Sequence, residues 1–553
     1  MPNRNAAPIP RPRPRRYRIR YAITAAGLSA LLVAAACSSA AGSDSGAASE
    51  PYGATAEIGT LPEAAQEIIE KAPYETARWL YYVADAKSGD VLLANGADQM
   101  VFTGSTAKEF IVGTVYDTLG PDTTLTTPVF STTPVADGAV AGDLVLVASG
   151  DLALGGRNGI EGKFDHTFYA ETVDHVYADV APNADRVGDP LAGLDDLAQQ
   201  VANQGVTRID GNVVIDTSLW ETFEGQEAPV PPIFVNDNIL DLQVTATTEG
   251  QPATIETIPQ TGYFTVESQV TTVASDGETA LEVDASPEDP NTIVVSGTIA
   301  EGGSQLTIYR VDDGAAWARA LFVEALQRAG VSVTAPALGP NDESGLPASD
   351  SYPADQELAS LESPPLSAIG TMINQVSYNT GANAFLCLLA AESGSTDCTD
   401  GLQTVYALAE EAGVDTDDLF LLDGQGADPA STTPRQMSRW VQWAQEQPWG
   451  KVFVEGQPVL AETGSLAPYG ADSPAAGKVA AKAGTSIDVD SVTGRMYSKV
   501  QSLAGYLTLD DGTELVFGLS MSGATYPQVY NGLVDAGKHV AGVAAAFQQE
   551  LST

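Results

Sequence analysis

Ser105-Thr106-Ala107-Lys108 opens a segment that predicts a helix running towards Leu119, closed by Gly120-Pro121. Residues three apart on a helix share a face, so this spacing brings a hydroxyl and an amine within proton-transfer reach. A serine hydroxyl is a poor nucleophile until a base takes its proton. Lysine serves as that base only if its pKa falls, which burial and a second nearby cation both promote. The chain has nine lysines, and only Lys108 has a serine three positions before it. Alone, such a pair reads as a solvated helix face; its meaning depends on what else the chain supplies.

Two further elements follow downstream. Among the asparagines only Asn379 has a serine two positions before it, giving Ser377-Tyr378-Asn379. Ser377 is a candidate proton relay to a leaving amine, and Asn379 a candidate partner for a substrate amide. The third element is a cation on a strand followed by glycine, against which a substrate backbone can lie. Lys87-Ser88-Gly89 fits literally but precedes Ser105 and occupies a hairpin tip. Lys482-Ala483-Gly484-Thr485 follows the strand-like Lys478–Ala481 and lies downstream of both other elements, so it is preferred.

Ser-x-x-Lys, Ser-x-Asn and Lys-x-Gly in this order resemble the penicillin-recognising serine peptidases. The long stretch between the first two narrows the resemblance to the low-molecular-weight class C penicillin-binding proteins, the D-Ala-D-Ala carboxypeptidase/endopeptidase family. Gly142-Asp143-Leu144 through Gly150-Asp151-Leu152, Asn236-Asp237-Asn238, Asp423-Gly424-Gln425-Gly426 and Leu503-Ala504-Gly505-Tyr506 resemble that family too. The resemblance spans roughly residues 60–545 and implies an α+β fold, a peptidase domain with a large inserted α/β-rich module between the first and second motifs. It implies Ser105 as nucleophile, Lys108 as base, Ser377 as relay, and Lys482 as carboxylate-attracting cation that helps keep Lys108 neutral. Asn379, Gly484 and Thr485 would bind substrate, with the N–H groups of Ser105 and Thr485 holding the oxyanion. The implied partners are peptidoglycan peptides ending in D-Ala-D-Ala, with β-lactams as covalent inhibitors and no cofactor.

The pattern departs from the family at Ala483, where Thr or Ser is usual, and at Gln425, where serine is usual. A degenerate homologue that binds cell wall without cutting it therefore stays open as a second reading. A β-lactamase would need an added base for deacylation, and none is identified.

Outside the motifs, Pro62–Lys71 reads as a helix with its proline in the first turn. Arg78–Asp85 and Asp90–Ala94 read as a hairpin. From about 123 to 355 short alternating segments (Leu144–Ala148, Asn212–Ile215, Thr292–Val295) are interrupted by helical stretches at Ala192–Gln204 and Ala315–Ala329. Helical texture returns through Leu366–Ala391 and Leu402–Ala412. Strand signals follow at Lys478–Lys482, Val500–Leu509 and Glu514–Ser520, then a last helix from about Tyr530 to Leu551. Early and late strands around a helical middle predict one sheet built from both ends of the chain.

At 553 residues the chain exceeds a single core. Its 26 basic residues face 72 acidic ones, a net charge of -46. Residues 1–36 hold seven of the 26 and no acid, so the remainder carries 19 against 72, or -53. Such a surface repels nucleic acid and anionic lipid. The arginine block from Arg11 to Arg20, followed by the uncharged run Tyr21–Ala36, reads as an export signal too short to span a membrane as a helix. Ala34-Ala35-Ala36-Cys37 resembles a lipoprotein cleavage box, with Ala34 where Leu is usual; Ala34-Ala35-Ala36 also suits ordinary signal cleavage, the less favoured reading. The membrane is thus expected as a partner only through lipid on Cys37. The expected division is signal 1–36, tether 37–58, peptidase domain 59–122 and 356–553, and insert 123–355. Cys387 and Cys398 can pair in an oxidising compartment, or Cys387 is simply a buried apolar residue. His166, His175 and His539 form no ligand-spaced cluster, so no metal is expected.

Overall fold

The structure, a computed structural model, describes residues 57–154, 156–157, 172–186, 188–348 and 351–552. The export signal, Cys37, nearly all of the tether and His166 lie outside the described residues.

Helix α1 (Glu63–Ile69) begins after Pro62. Strands β1 (Arg78–Asp85) and β2 (Val91–Asn95) make the expected hairpin. Its turn is held by Asp85, whose side chain accepts from the N–H groups of Lys87 and Ser88. A single 3₁₀ turn, Gly104–Thr106, leads into α2 (Ala107–Thr118).

The insert then contributes β3 (Thr126–Ser131), β4 (Leu144–Val147), α3 (Ala192–Asn203), β5 (Val213–Asp216), β6 (Ile239–Thr245), β7 (Thr254–Ile258), β8 (Thr265–Val273), β9 (Ala280–Ala285), β10 (Thr292–Ala300), β11 (Ser304–Arg310) and α4 (Gly314–Arg328), and β12 (Glu357–Glu362), just past its end, returns to pair with β3. The strands named here form three sheets, ordered β5-β4-β3-β12, β7-β6-β11 and β8-β10-β9, beside smaller ones of two-residue strands. They share a core of their own, in which Trp317, Leu321 and Phe322 of α4 meet Leu240 and Leu242 of β6 and Leu144 and Leu146 of β4.

After the insert come α5 (Leu366–Val376), α6 (Asn379–Glu392), α7 (Gly401–Glu411) and α8 (Pro434–Gln445). Thr433 caps α8 by accepting from the Gln436 N–H, with Pro434 in the first turn. Strands β13 (Val479–Val489), β14 (Met496–Thr508) and β15 (Glu514–Ser522) and helix α9 (Val529–Leu551) complete the fold.

The main sheet is antiparallel and ordered β2-β1-β15-β14-β13, with Ala524–Tyr526 pairing to β14. Both ends of the chain build it, as the sequence predicts. Because side chains alternate across a strand, its two faces carry two cores. The row Tyr81, Leu519, Leu503, Ala483 packs with Val540, Ala544 and Phe547 of α9. The next row, Tyr82, Gly518, Ala504, Lys482, turns to the opposite face. There α8 lies so close that a Cβ on Gly518 would stand 2.4 Å from the Pro434 carbonyl oxygen. Lys482 is thereby aimed towards the helices that carry Lys108 rather than into the α9 core.

Candidate active site

Strand β13 is packed directly on the turn that presents Ser105. A Cβ on Gly484 would lie 2.2 Å from the Thr103 carbonyl oxygen, and one on Gly104 (φ +49°) would lie 2.6 Å from the Thr485 nitrogen. Only glycine permits both approaches. Ser502 Oγ donates to the Thr103 carbonyl at 2.9 Å and pins the same turn from β14. The backbone nitrogen of Thr485 is thus brought up to the serine turn itself. Residues Lys482–Thr485 lie inside strand β13, where the sequence placed them just after one.

The helical texture over Leu366–Ala391 breaks at Ser377, which adopts φ 65°, ψ 36° at the end of α5. The Tyr378 N–H returns to the Ile373 carbonyl at 3.1 Å, a six-to-one bond that closes the helix. Asn379 then opens α6. The break turns Ser377 and Asn379 towards α2 and β13.

Lys108 is fully buried. Its Nζ lies 2.5 Å from Ser105 Oγ and 2.6 Å from Asn379 Oδ1, and it donates to the Gln425 carbonyl oxygen at 3.1 Å. Lys482, equally buried, donates to Ser377 Oγ at 2.8 Å and to the Ala483 carbonyl oxygen at 2.7 Å. Ser105 and Ser377 are half-buried. All three motifs therefore converge: Ser105, Lys108 and Asn379 form one hydrogen-bonded set and Ser377 with Lys482 a second, near enough for the Lys108 charge to act on Lys482.

Burial drives the Lys108 amine down from 10.5 to about 7, against the opposing charges of Glu227 and Asp423. Lys482 is pushed well below its usual value by burial and then by Lys108, while Glu109 pulls it back. Desolvation is thus what lowers Lys108; the mutual repulsion of the two amines is felt at Lys482. Glu109 itself is buried, is raised well above the usual carboxyl range by that burial, and has an Oε1 with no hydrogen-bond partner.

The two departures have visible surroundings. Ala483 is half-buried and packs against the core on the α9 side. The nearby Thr485 hydroxyl donates to Gln501 at 3.0 Å. Gln425 accepts from Asn383 at 3.1 Å and donates to Gln226 of the insert at 3.2 Å, a bridge the shorter serine could not span.

Lys87-Ser88-Gly89 occupies the β1–β2 turn, away from this group. Cys387 and Cys398 are joined as a disulfide between α6 and the turn before α7. Among the described residues no cluster of His, Cys, Asp or Glu is arranged to hold a metal, and no helix is long and apolar enough to cross a membrane.

Residues that the motifs do not reveal also reach the site. Asn379 Nδ2 donates to Glu227, which stands on the loop between Glu224 and Pro229 of the insert. Tyr177 donates to the Ser377 carbonyl oxygen. Neither stands at a recognisable spacing from a motif; Asn236-Asp237-Asn238 was the nearest sequence signal, without a role attached.

Residues 61–540 match the D-Ala-D-Ala carboxypeptidase 3 (S13) family. The chain is 27% identical over 490 residues to a D-alanyl-D-alanine carboxypeptidase of Actinomadura sp. (strain R39), covering 85% of this chain and 82% of the relative. Its fold is shared with penicillin-binding protein 4 from Haemophilus influenzae, at a TM-score of 0.65 and 17% identity over 88% of this chain and 99% of that one. The same Haemophilus protein complexed with a β-lactam superposes at a TM-score of 0.64 and 18% identity, with the same coverage. The order of the three motifs, the sheet closed by both chain ends and a match running through nearly every described residue have one consequence: the chain belongs to the D-Ala-D-Ala carboxypeptidase 3 (S13) family, among the low-molecular-weight class C penicillin-binding proteins.

Proposed function

We propose that the protein is an exported serine DD-peptidase that cuts D-Ala-D-Ala bonds of peptidoglycan peptides through an acyl-enzyme on Ser105. The observation that carries this reading is the contact between Ser105 Oγ and a fully buried amine held near pH 7. At that value a good part of Lys108 is unprotonated at neutral pH and accepts the serine proton.

The sequence of bonds follows. Ser105 Oγ attacks the carbonyl carbon of the penultimate D-alanine as its proton passes to Lys108. The N–H groups of Ser105 and Thr485 stabilise the oxyanion, the preorganised type of donor that supplies much of the rate in acyl transfer. The C–N bond breaks and the departing amine takes a proton relayed through Ser377, whose Oγ is bonded to Lys482. Water then adds to the ester carbonyl, the peptide leaves as a carboxylic acid, and Ser105 recovers its proton. Burial depresses Lys482; an arriving substrate carboxylate favours its charged form and is held by it. A β-lactam acylates the same serine. A terminal D-alanine and a cross-linking amine are both leaving groups from the same carbonyl, so the reading covers carboxypeptidase and endopeptidase action. Ala483 offers no hydroxyl for the terminal carboxylate, and activity is expected to be lower for it.

Within this reading, residues 59–122 and 356–553 form the peptidase domain and 123–355 the insert. Residues 1–36 act as the export signal, and Cys37 carries the lipid that anchors the protein outside the membrane. Intact mass of the N-terminal peptide tests the anchor.

D-Alanine release from a synthetic peptide ending in D-Ala-D-Ala tests the activity. The wild type is expected to release it and Ser105→Ala to release none. A wild type that sediments with cell walls yet releases nothing would favour the degenerate homologue.

A further inference from the structure

A cluster of five charged side chains is buried in the insert and takes no part in the chemistry above. Arg157 donates with Nη1 and Nη2 to the two oxygens of Asp174 at 2.8 and 3.0 Å, and with Nε to Asp237 at 3.0 Å. His175 bonds Asp241 through Nδ1 at 2.8 Å and Asp237 through Nε2 at 2.9 Å. Every one of these side chains is at most 4% exposed. Burial alone would discharge His175, but Asp241 and Asp237 outweigh it and hold its pKa near 10, so His175 keeps its charge through neutral pH. Buried ion networks stabilise a fold poorly compared with apolar packing, because desolvation offsets their attraction. What they do well is fix geometry.

The geometry fixed here is that of the second motif. Asp174 accepts from the Val176 N–H and so caps the short turn His175–Tyr177. From that turn Tyr177 donates to the Ser377 carbonyl oxygen at 2.6 Å. The Arg157 guanidinium lies over the Tyr378 ring, 5.5 Å from its centre. Both contacts fall on the segment where Ser377 holds a left-handed backbone, which a serine adopts only when its surroundings hold it there. Relaxed to an ordinary backbone, Ser377 would swing its Oγ away from Lys482.

We propose that the insert serves as a positioning element for the reaction: Tyr177, backed by the Arg157–Asp174–His175–Asp237–Asp241 cluster, holds Ser377 in the conformation that relays the proton to the leaving amine. The inference rests on the peptidase reading and assigns the insert a part in it.

The test compares two substrates with the same acyl half, a D-Ala-D-Ala peptide and its thioester analogue. An amine must be protonated to leave, whereas a thiolate leaves without a proton. In Tyr177→Phe, kcat/KM on the peptide is expected to fall about ten- to hundredfold through kcat, as small misplacements of a catalytic group do. The thioester should stay within about twofold of wild type, since no relay is needed. Arg157→Lys keeps the charge and loses the two-pronged grip; it should show the same selective loss, and decides the matter if Tyr177→Phe does not fold. Equal losses on both substrates, or no loss on either, in a folded variant would overturn the positioning role alone. A wild type that turns over neither substrate would overturn the peptidase reading, and this inference with it.

Discussion

Lys108 sits between a hydroxyl, an amide oxygen and a backbone carbonyl, and in the proposed mechanism its protonation sets the rate at which Ser105 attacks. The neutral amine is the reactive form, so acylation should rise with pH through about 7 and level off above it. Glu227 favours the charged form. Glu227→Gln therefore moves the rising limb to lower pH, measurable from acylation rates across the range. Glu109 gives a stability prediction of the opposite kind. Its carboxyl is raised by burial, so the folded protein keeps a proton that the unfolded chain loses above about 4.5. Stability is then full below that value and falls as pH rises towards the folded pKa, by at most about 1.4 kcal/mol per pH unit. Glu109→Gln should flatten that slope in urea unfolding at pH 5 and pH 7. Of these residues the sequence exposed Ser105 and Lys108, because three-residue spacing on a helix is a local property. Glu227 and Tyr177 could not be found that way: they meet residues 152 and 200 positions distant, across a fold no spacing encodes.

At the scale of elements, strand β13 and the Ser105 turn are joined through glycine. Gly484→Ala would set a methyl 2.2 Å from the Thr103 carbonyl oxygen, and that partner is backbone. Either the strand or the turn must shift, at a cost of roughly 1–3 kcal/mol for an overpacked site. A lower melting temperature and at least a tenfold slower acylation are expected. The sequence reading found the strands and most helices because alternation and Gly-Pro punctuation are strong signals in this chain. Helical texture through Leu366–Ala391 does not reveal where the helix breaks, because nothing in Val376-Ser377-Tyr378 breaks a helix locally. In the fold the break coincides with contacts from the insert and from Lys482.

For the whole molecule, the net charge is -46. Like charges spread over one surface oppose compaction, and salt screens them. Raising ionic strength from about 0.01 M to about 1 M shortens the screening length from about 30 Å to about 3 Å. The melting temperature is expected to rise over that interval; an unchanged or falling value would mean that surface repulsion does not limit stability. The architecture was legible as two chain ends sharing a sheet with a module between them. What the module does for the reaction was not, since its contribution is made by buried charges whose pairing only the fold reveals.

The central claim is that Ser105, deprotonated by Lys108, forms a covalent acyl bond. Incubation with a fluorescent penicillin, followed by mass mapping of the modified peptide, measures it directly. The account predicts one adduct, on the peptide that contains Ser105, absent in Ser105→Ala and strongly slowed in Lys108→Ala. An adduct on any other residue, or labelling that persists in Ser105→Ala, would contradict it.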